Sequence, residues 1–324
     1  MVKNLTEGKP LKLLFLFAMP MILGNLFQQL YNMVDSMVVG KFVGEDALAA
    51  VGSSFPVVFL AVAIASGLSM GCTVVISQLY GAGQIQIMKT TIFTALILLG
   101  VIGLGIMGIG EIIAAPLLKI LGTDPDIMND SLSYLRIYFG GAIFLFLYNT
   151  LNGIYNALGD SNTPLRFLMV SALTNIGLDL LFVIRFDMGV AGVAWATLIA
   201  QGMCAVISFV VLMRRLKRME SEEECRGIRP KLFERSAAAR IARVGIPSML
   251  QQSMVSLSMM MMQGLVNSYG KVFVAGYTAA TKIDTLAMLP NMNFSNAMSS
   301  YTAQNIGADK PERVTAGYRA SMLM

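Results

Sequence analysis

Two acidic residues lie within stretches of sequence that are otherwise apolar, and they are the first candidates for chemistry. Asp35 falls well inside an apolar run, with Gln28, Tyr31 and Asn32 at spacings of seven, four and three residues, which places all four on one face of a helix. Asn175-Ile176-Gly177-Leu178-Asp179 sets an amide and a carboxylate one helical turn apart in another run. A carboxylate at membrane depth costs about 2.5 to 3.5 kcal/mol on insertion scales, so it is retained where it has partners or a task. Two carboxylates sharing a partly dry pocket cannot both ionise cheaply, so one of them holds a proton, or the same oxygens hold Na⁺ with help from neutral amides and hydroxyls. The metal-type reading is therefore Na⁺ at Asp35, Asn175 and Asp179. The competing reading of the Asp35 stripe is a structural hydrogen-bonding seam between helices.

A third group, Lys282 and Asp284, has a spacing of two and so does not share a face. Lys282 can snorkel outward, which leaves Asp284 as a contact for ion or substrate. Gln28, Tyr31 and Asn32, together with Asp284, Met259 and Met288, are the candidate lining of a substrate cavity. Methionine is abundant, with 25 residues including the run Met259 to Met262. Flexible thioethers suit a cavity that accepts many shapes, and they also simply fill gaps.

Other chemistry finds little support. There is no histidine, and Cys72, Cys204 and Cys225 have neither metal-type nor disulfide-type spacing, so they read as packing residues and no cofactor is expected. Gly103-Leu104-Gly105-Ile106-Met107-Gly108 matches a dinucleotide fingerprint in letters alone, because it has no preceding strand and no downstream acid. Close packing of helices through small residues explains it better. Asn4-Leu5-Thr6 has the letters of a glycosylation acceptor but falls on the side of the membrane where it would mean nothing. No nucleophile–base pair or phosphate-cradling loop is visible, so an enzyme is not expected, nor is a nucleic-acid partner.

The elements that must position these residues are membrane helices. The chain of 324 residues is 56% hydrophobic and only 13% charged, with a mean hydropathy of +0.67, where a soluble domain is about 25% charged. Eight apolar runs, near 13–39, 47–79, 90–118, 132–155, 164–186, 189–213, 241–268 and 275–304, each suffice to cross a hydrocarbon core of about 30 Å. A ninth begins after Arg313. The first run is too long for the core of a signal peptide. Lys and Arg concentrate on one side if the N-terminus is cytoplasmic, most densely in the mixed-charge segment 214–240. Pro20, Pro56, Pro247 and Pro290 are expected to kink their helices.

The chain also repeats itself. Gln78-Leu79-Tyr80-Gly81-Ala82 aligns with Gln304-Asn305-Ile306-Gly307-Ala308, and at the same offset Gly44, Ala49 and Val51 face Gly270, Ala275 and Tyr277. Six spans separate the copies, an even number, so the repeat is parallel. The expected fold is all-α and polytopic: two parallel-repeat bundles, with about eight complete spans here of about twelve in a full pair of bundles. The expected divisions are 1–213 as a six-helix lobe, 214–240 as a basic linker and 241–324 as an incomplete second lobe.

The stretches MPMILGNLFQQLYNMVDSMVVGKFVGEDALAAVG, NGIYNALGDSNTP, GVAWATLIAQ and AATKIDTLAMLPNMNFSNAMSSYTAQNIGADKPERV resemble the multidrug and toxic compound extrusion (MATE) transporters, with the DinF-type branch as the nearer likeness. The resemblance covers nearly the whole chain; the family's last four helices have no counterpart in it. It implies two six-helix lobes in the cell membrane, alternating access, a monomer, and export of organic, often cationic, compounds in exchange for H⁺ or Na⁺. It also implies a cation site made by Asp35, Asn152, Asn175, Asp179 and Thr197. Rival expectations are a flippase of lipid-linked sugars or polysaccharide, whose cavity should be richly basic, and a membrane receptor that transports nothing.

Overall fold

A backbone in lipid must satisfy its own N–H and C=O groups, and for apolar runs of this length the solution is the α-helix. The computed structural model describes residues 4–222, 230–267, 269, 271–322 and 324, and every regular element among them is helical. Ten α-helices follow in order: α1 (Pro10–Val38), α2 (Glu45–Gly81), α3 (Ile85–Ile120), α4 (Met128–Gly140), α5 (Ala142–Ala157), α6 (Asn162–Leu180), α7 (Gly189–Glu222), α8 (Arg235–Asn267), α9 (Lys271–Gly307) and α10 (Pro311–Ser321). Two of them, α1 and α6, end in a wider π-turn, at Val39–Val43 and Leu181–Arg185. Cys225, Gly270 and the side chain of Lys282 lie outside the described residues.

Five helices have the length and apolar character of a membrane span, and a sixth span is formed if α4 and α5 are taken together. This is a multi-pass, all-α membrane protein. Helices α8 and α9, of 33 and 37 residues, are long enough to cross by their rise of about 1.5 Å per residue, but they are richer in Ser, Asn and Gln than the first six. The fourth run was expected to be one continuous helix. It is two, meeting at Gly141 with a bend of 51°, and the side chain of Leu198 on α7 occupies the space that a Cβ at Gly141 would need. Pro20, Pro56, Pro247 and Pro290, where kinks are expected, lie inside α1, α2, α8 and α9 respectively. The segment 214–240 also divides. Its first part continues α7, residues 230–234 run along α3, and α8 starts at Arg235.

We call the end of the bundle where α1 starts and α2 finishes the lower end, and the opposite one the upper end. Helix α2 is central, packing against α3, α4 and α5 on one side and against α8 and α9 on the other. Its approach to α8 depends on glycine: a Cβ at Gly67 would strike the Met249 backbone, and one at Gly71 would strike Ile241 and Gly245. The sequence repeat has a direct spatial expression, since α2 and α9 are both 37 residues long. Their lower ends cross through matched residues, with Gly81 against the backbone of Gln304 and Gly307 against the backbone of Gln78. Glycine is needed at both places because the two helix backbones touch.

Candidate functional site

The two intramembrane carboxylates meet. Helix α1 packs along α6, and the π-turns that end these helices touch each other, so the upper ends of the two helices are fastened together just beyond Asp35 and Asp179. The π-turn of α1 closes at Gly44, whose φ of 127° lets the chain reverse into α2. Within this corner the Asp35 and Asp179 carboxyl groups come within hydrogen-bond reach. Asp179 is fully buried and Asp35 partly so.

What surrounds the pair is as informative as the pair itself. Among the described residues no N–H or O–H donor reaches Oδ1 of Asp35 or either carboxylate oxygen of Asp179, all of them buried atoms. Asn175, one turn below Asp179 and itself buried, directs Nδ2 to Oγ1 of Thr197 on α7 at 3.4 Å, and its own Oδ1 is left buried without a donor. Four acceptor oxygens on two helices therefore have no proton or cation supplied by the protein. Unpaired buried acceptors cost about 1–3 kcal/mol each, and more when charged. An oxygen-only set of this kind suits a hard cation or a shared proton.

The remaining sequence candidates divide. Tyr31 lies in range of both Gln28 and Asp35, so both Gln28 and Tyr31 belong to the site. Asn32, expected on the same enclosed stripe, is exposed; four residues on one helical face subtend too wide an arc for α6 to cover all of them. Asn152 is not tied to the pair by any bond: its Oδ1 accepts from Nδ2 of Asn156 one turn along α5, at 3.2 Å. Asp284, Met259 and Met288 are exposed on α8 and α9, and no hydrogen bond or ion pair among the described residues links them to the carboxylates. Cys72 and Cys204 are buried free thiols. Of the dinucleotide-like glycines, Gly103 packs against Ile143 and Phe146, whereas Gly105 and Gly108 face open space.

Sequence reasoning missed an aromatic wall. Tyr134 on α4 lies in electrostatic range of Asp35, Asp179 and Tyr31, and its ring stacks on that of Tyr138 with centroids 6.4 Å apart. Tyr138 and, on α5, Tyr148 also lie in range of Tyr31. The spacing of Tyr134 and Tyr138 was a legible signal, because it puts two hydroxyls on one face of an apolar helix.

Comparison with known proteins bears on what such a corner belongs to. The MatE family model matches residues 20–181 and 247–324. The chain belongs to the MatE family. A relative named "Probable multidrug resistance protein YpnP", from Bacillus subtilis (strain 168), is 33% identical over 312 residues, which is 96% of this chain and 68% of the relative. A second, "Probable multidrug resistance protein YoeA" from the same strain, is 30% identical over 92% of this chain and 65% of its own length. Among solved structures, a MOP superfamily transporter from Pyrococcus furiosus superposes with a TM-score of 0.88 at 27% identity, covering 98% of this chain and 70% of the other. The MatE chain described here thus spans about two thirds of the length of the relatives it matches.

Proposed function

We propose that this MatE chain is the greater part of a cation-coupled antiporter that exports small organic, often cationic, compounds by alternating access between two lobes, with H⁺ or Na⁺ as the coupling ion. The observation that carries the reading is the meeting of Asp35 and Asp179 in a buried corner whose acceptor oxygens receive no donor. Asp35, Asp179 and the Oδ1 of Asn175 bind the ion, Thr197 orients Asn175, and Tyr31 and Tyr134 line the approach. An ion bound there neutralises the corner. An organic cation drawn to the same carboxylates and to the surrounding aromatic faces then loses its attraction, so ion entry and substrate release are coupled through one charge. The basic segments support a cytoplasmic lower end. The two named relatives are described as multidrug resistance proteins, which agrees with this substrate class. The protein works in the cell membrane as a monomer.

The test is dye efflux from cells expressing the full-length gene. Asp35→Asn and Asp179→Asn should each reduce efflux at least tenfold at unchanged surface expression. Efflux at the unmodified level in both variants would remove the coupling role.

A further inference from the structure

The lower end of the molecule is fastened by two short segments that stand in the same place in the sequence repeat. Residues 4–8 lead into α1, and residues 230–234 lead into α8. Each runs across to the opposite lobe. In the first, the Leu5 N–H donates to Oε1 of Gln304 at 3.2 Å, and Nδ2 of Asn305 donates to the Leu5 carbonyl at 3.2 Å. Lys310 Nζ donates to the Thr6 carbonyl at 3.3 Å, and Arg313 Nη2 to that of Gly8 at 3.0 Å. The Leu5 side chain is fully buried in an apolar cluster with Leu14, Phe17, Ala297 and Tyr301. In the second, the N–H groups of Lys231 and Glu234 donate to Oγ1 of Thr90 and Thr94 on α3, at 3.2 and 3.1 Å. The first segment is received by the end of α9 and the start of α10, and the second by α3, which follows α2 as α10 follows α9. Gln304 also donates from Nε2 to the carbonyl of Ala157 at the foot of α5, at 2.7 Å, so one side chain joins the leading segment, α9 and α5.

We infer that residues 4–8 and 230–234 form a reciprocal clasp that holds the lower end shut, and that both halves must release before the lobes can part there. The exchange is what makes it a clasp. A segment bound to its own lobe would move with that lobe and resist nothing, whereas these two are each attached to the first helix of one lobe and hydrogen-bonded to the other. Parting the lobes breaks both sets of bonds and draws Leu5 out of its cluster. The inference rests on the alternating-access reading only in requiring that the lobes part; the carboxylates take no part in it.

The experiment measures distance, not transport, so it fails independently of the ion-coupling reading. In the full-length protein in nanodiscs, with Cys72, Cys204 and Cys225 replaced by alanine, spin labels at Ala82→Cys and Glu312→Cys report the lower end. Labels at Phe42→Cys and Ile283→Cys report the upper end. Thr90→Val/Thr94→Val preserves shape and removes the two acceptors together with the bond from the Thr94 hydroxyl to the Thr90 carbonyl, and Gln304→Leu frees the Leu5 N–H and the Ala157 carbonyl. With one to two net hydrogen bonds lost, each should shift the ratio of closed to open lower ends about tenfold toward open. The two sets share no hydrogen-bond partner, so the shifts should multiply when combined. The upper-end distance should shorten in step, and Thr90→Ser/Thr94→Ser should restore the parent distribution. A lower-end distribution in Thr90→Val/Thr94→Val that coincides with the parent overturns the proposal. So does simultaneous broadening at both ends in this shape-preserving variant, which would mark a loosened fold in place of a released clasp.

Discussion

Replacing Asp179 by Asn keeps the shape of the side chain and removes its capacity to hold a cation. Asp179 is fully buried, and neither of its carboxylate oxygens has a donor, so in cation-free conditions the native corner carries an uncompensated polar cost. An amide at the same position donates to Asp35, and relief of one unsatisfied group is worth about 1–3 kcal/mol. The variant should therefore unfold at a higher temperature than the parent when no coupling ion is present. Binding of the ion to the native state alone stabilises the parent by about 2.7 kcal/mol at one hundred times the dissociation constant, which amounts to a rise of about 3–4 °C in a protein of this size. The assay is thermal unfolding of purified full-length protein across a Na⁺ series at fixed pH and a pH series without Na⁺. The parent should respond to one of the two series and Asp179→Asn to neither. A variant that retains the full ion-dependent rise would refute the argument, because the oxygens invoked would then not be the ones that bind.

Tyr31→Phe removes a hydroxyl in electrostatic range of Asp35 and should weaken ion-dependent stabilisation by roughly three- to tenfold in apparent affinity, read in the same thermal series, with the fold unchanged. At the lower end, Asp160 accepts Nη1 of Arg215 at 2.8 Å and caps α6 through the N–H and hydroxyl of Thr163. Asp160→Ala leaves that largely buried guanidinium without its partner and should cost about 3–5 kcal/mol, seen as lost thermal stability or lost membrane expression. Gly71→Val pushes a branched side chain into the α8 backbone and should destabilise by more than the 1–3 kcal/mol typical of overpacking, since backbone cannot yield as a side chain does. Gly105→Ala, at a position facing open space, should change thermal stability by less than about 0.5 kcal/mol.

Much of this architecture is legible in the sequence because lipid simplifies the reading. An apolar run of span length has one backbone solution, and a carboxylate inside it has few explanations, so the helices and Asp35 and Asp179 can be found without coordinates. The repeat is legible because Gln78, Gly81, Gln304 and Gly307 are needed at a crossing where backbones touch. The bend at Gly141 is not legible, because glycines are frequent in these helices and nothing in the local sequence marks this one as the break. The partner of Asn152 is not legible either, since a resemblance supplies a residue type and the Asn156 contact comes from the fold. The tyrosine wall was overlooked because tyrosines on an apolar helix look like packing until the helix opposite is known to carry acids.

The division of the fourth crossing into two rods gives the first bundle a joint at mid-depth. Tyr134 and Tyr138 belong to the upper rod, and Asn149, whose side-chain carbonyl receives the hydroxyl of Ser66, belongs to the lower. Rotation about Gly141 would carry the aromatic rings toward or away from the acids while the lower rod kept its grip on α2.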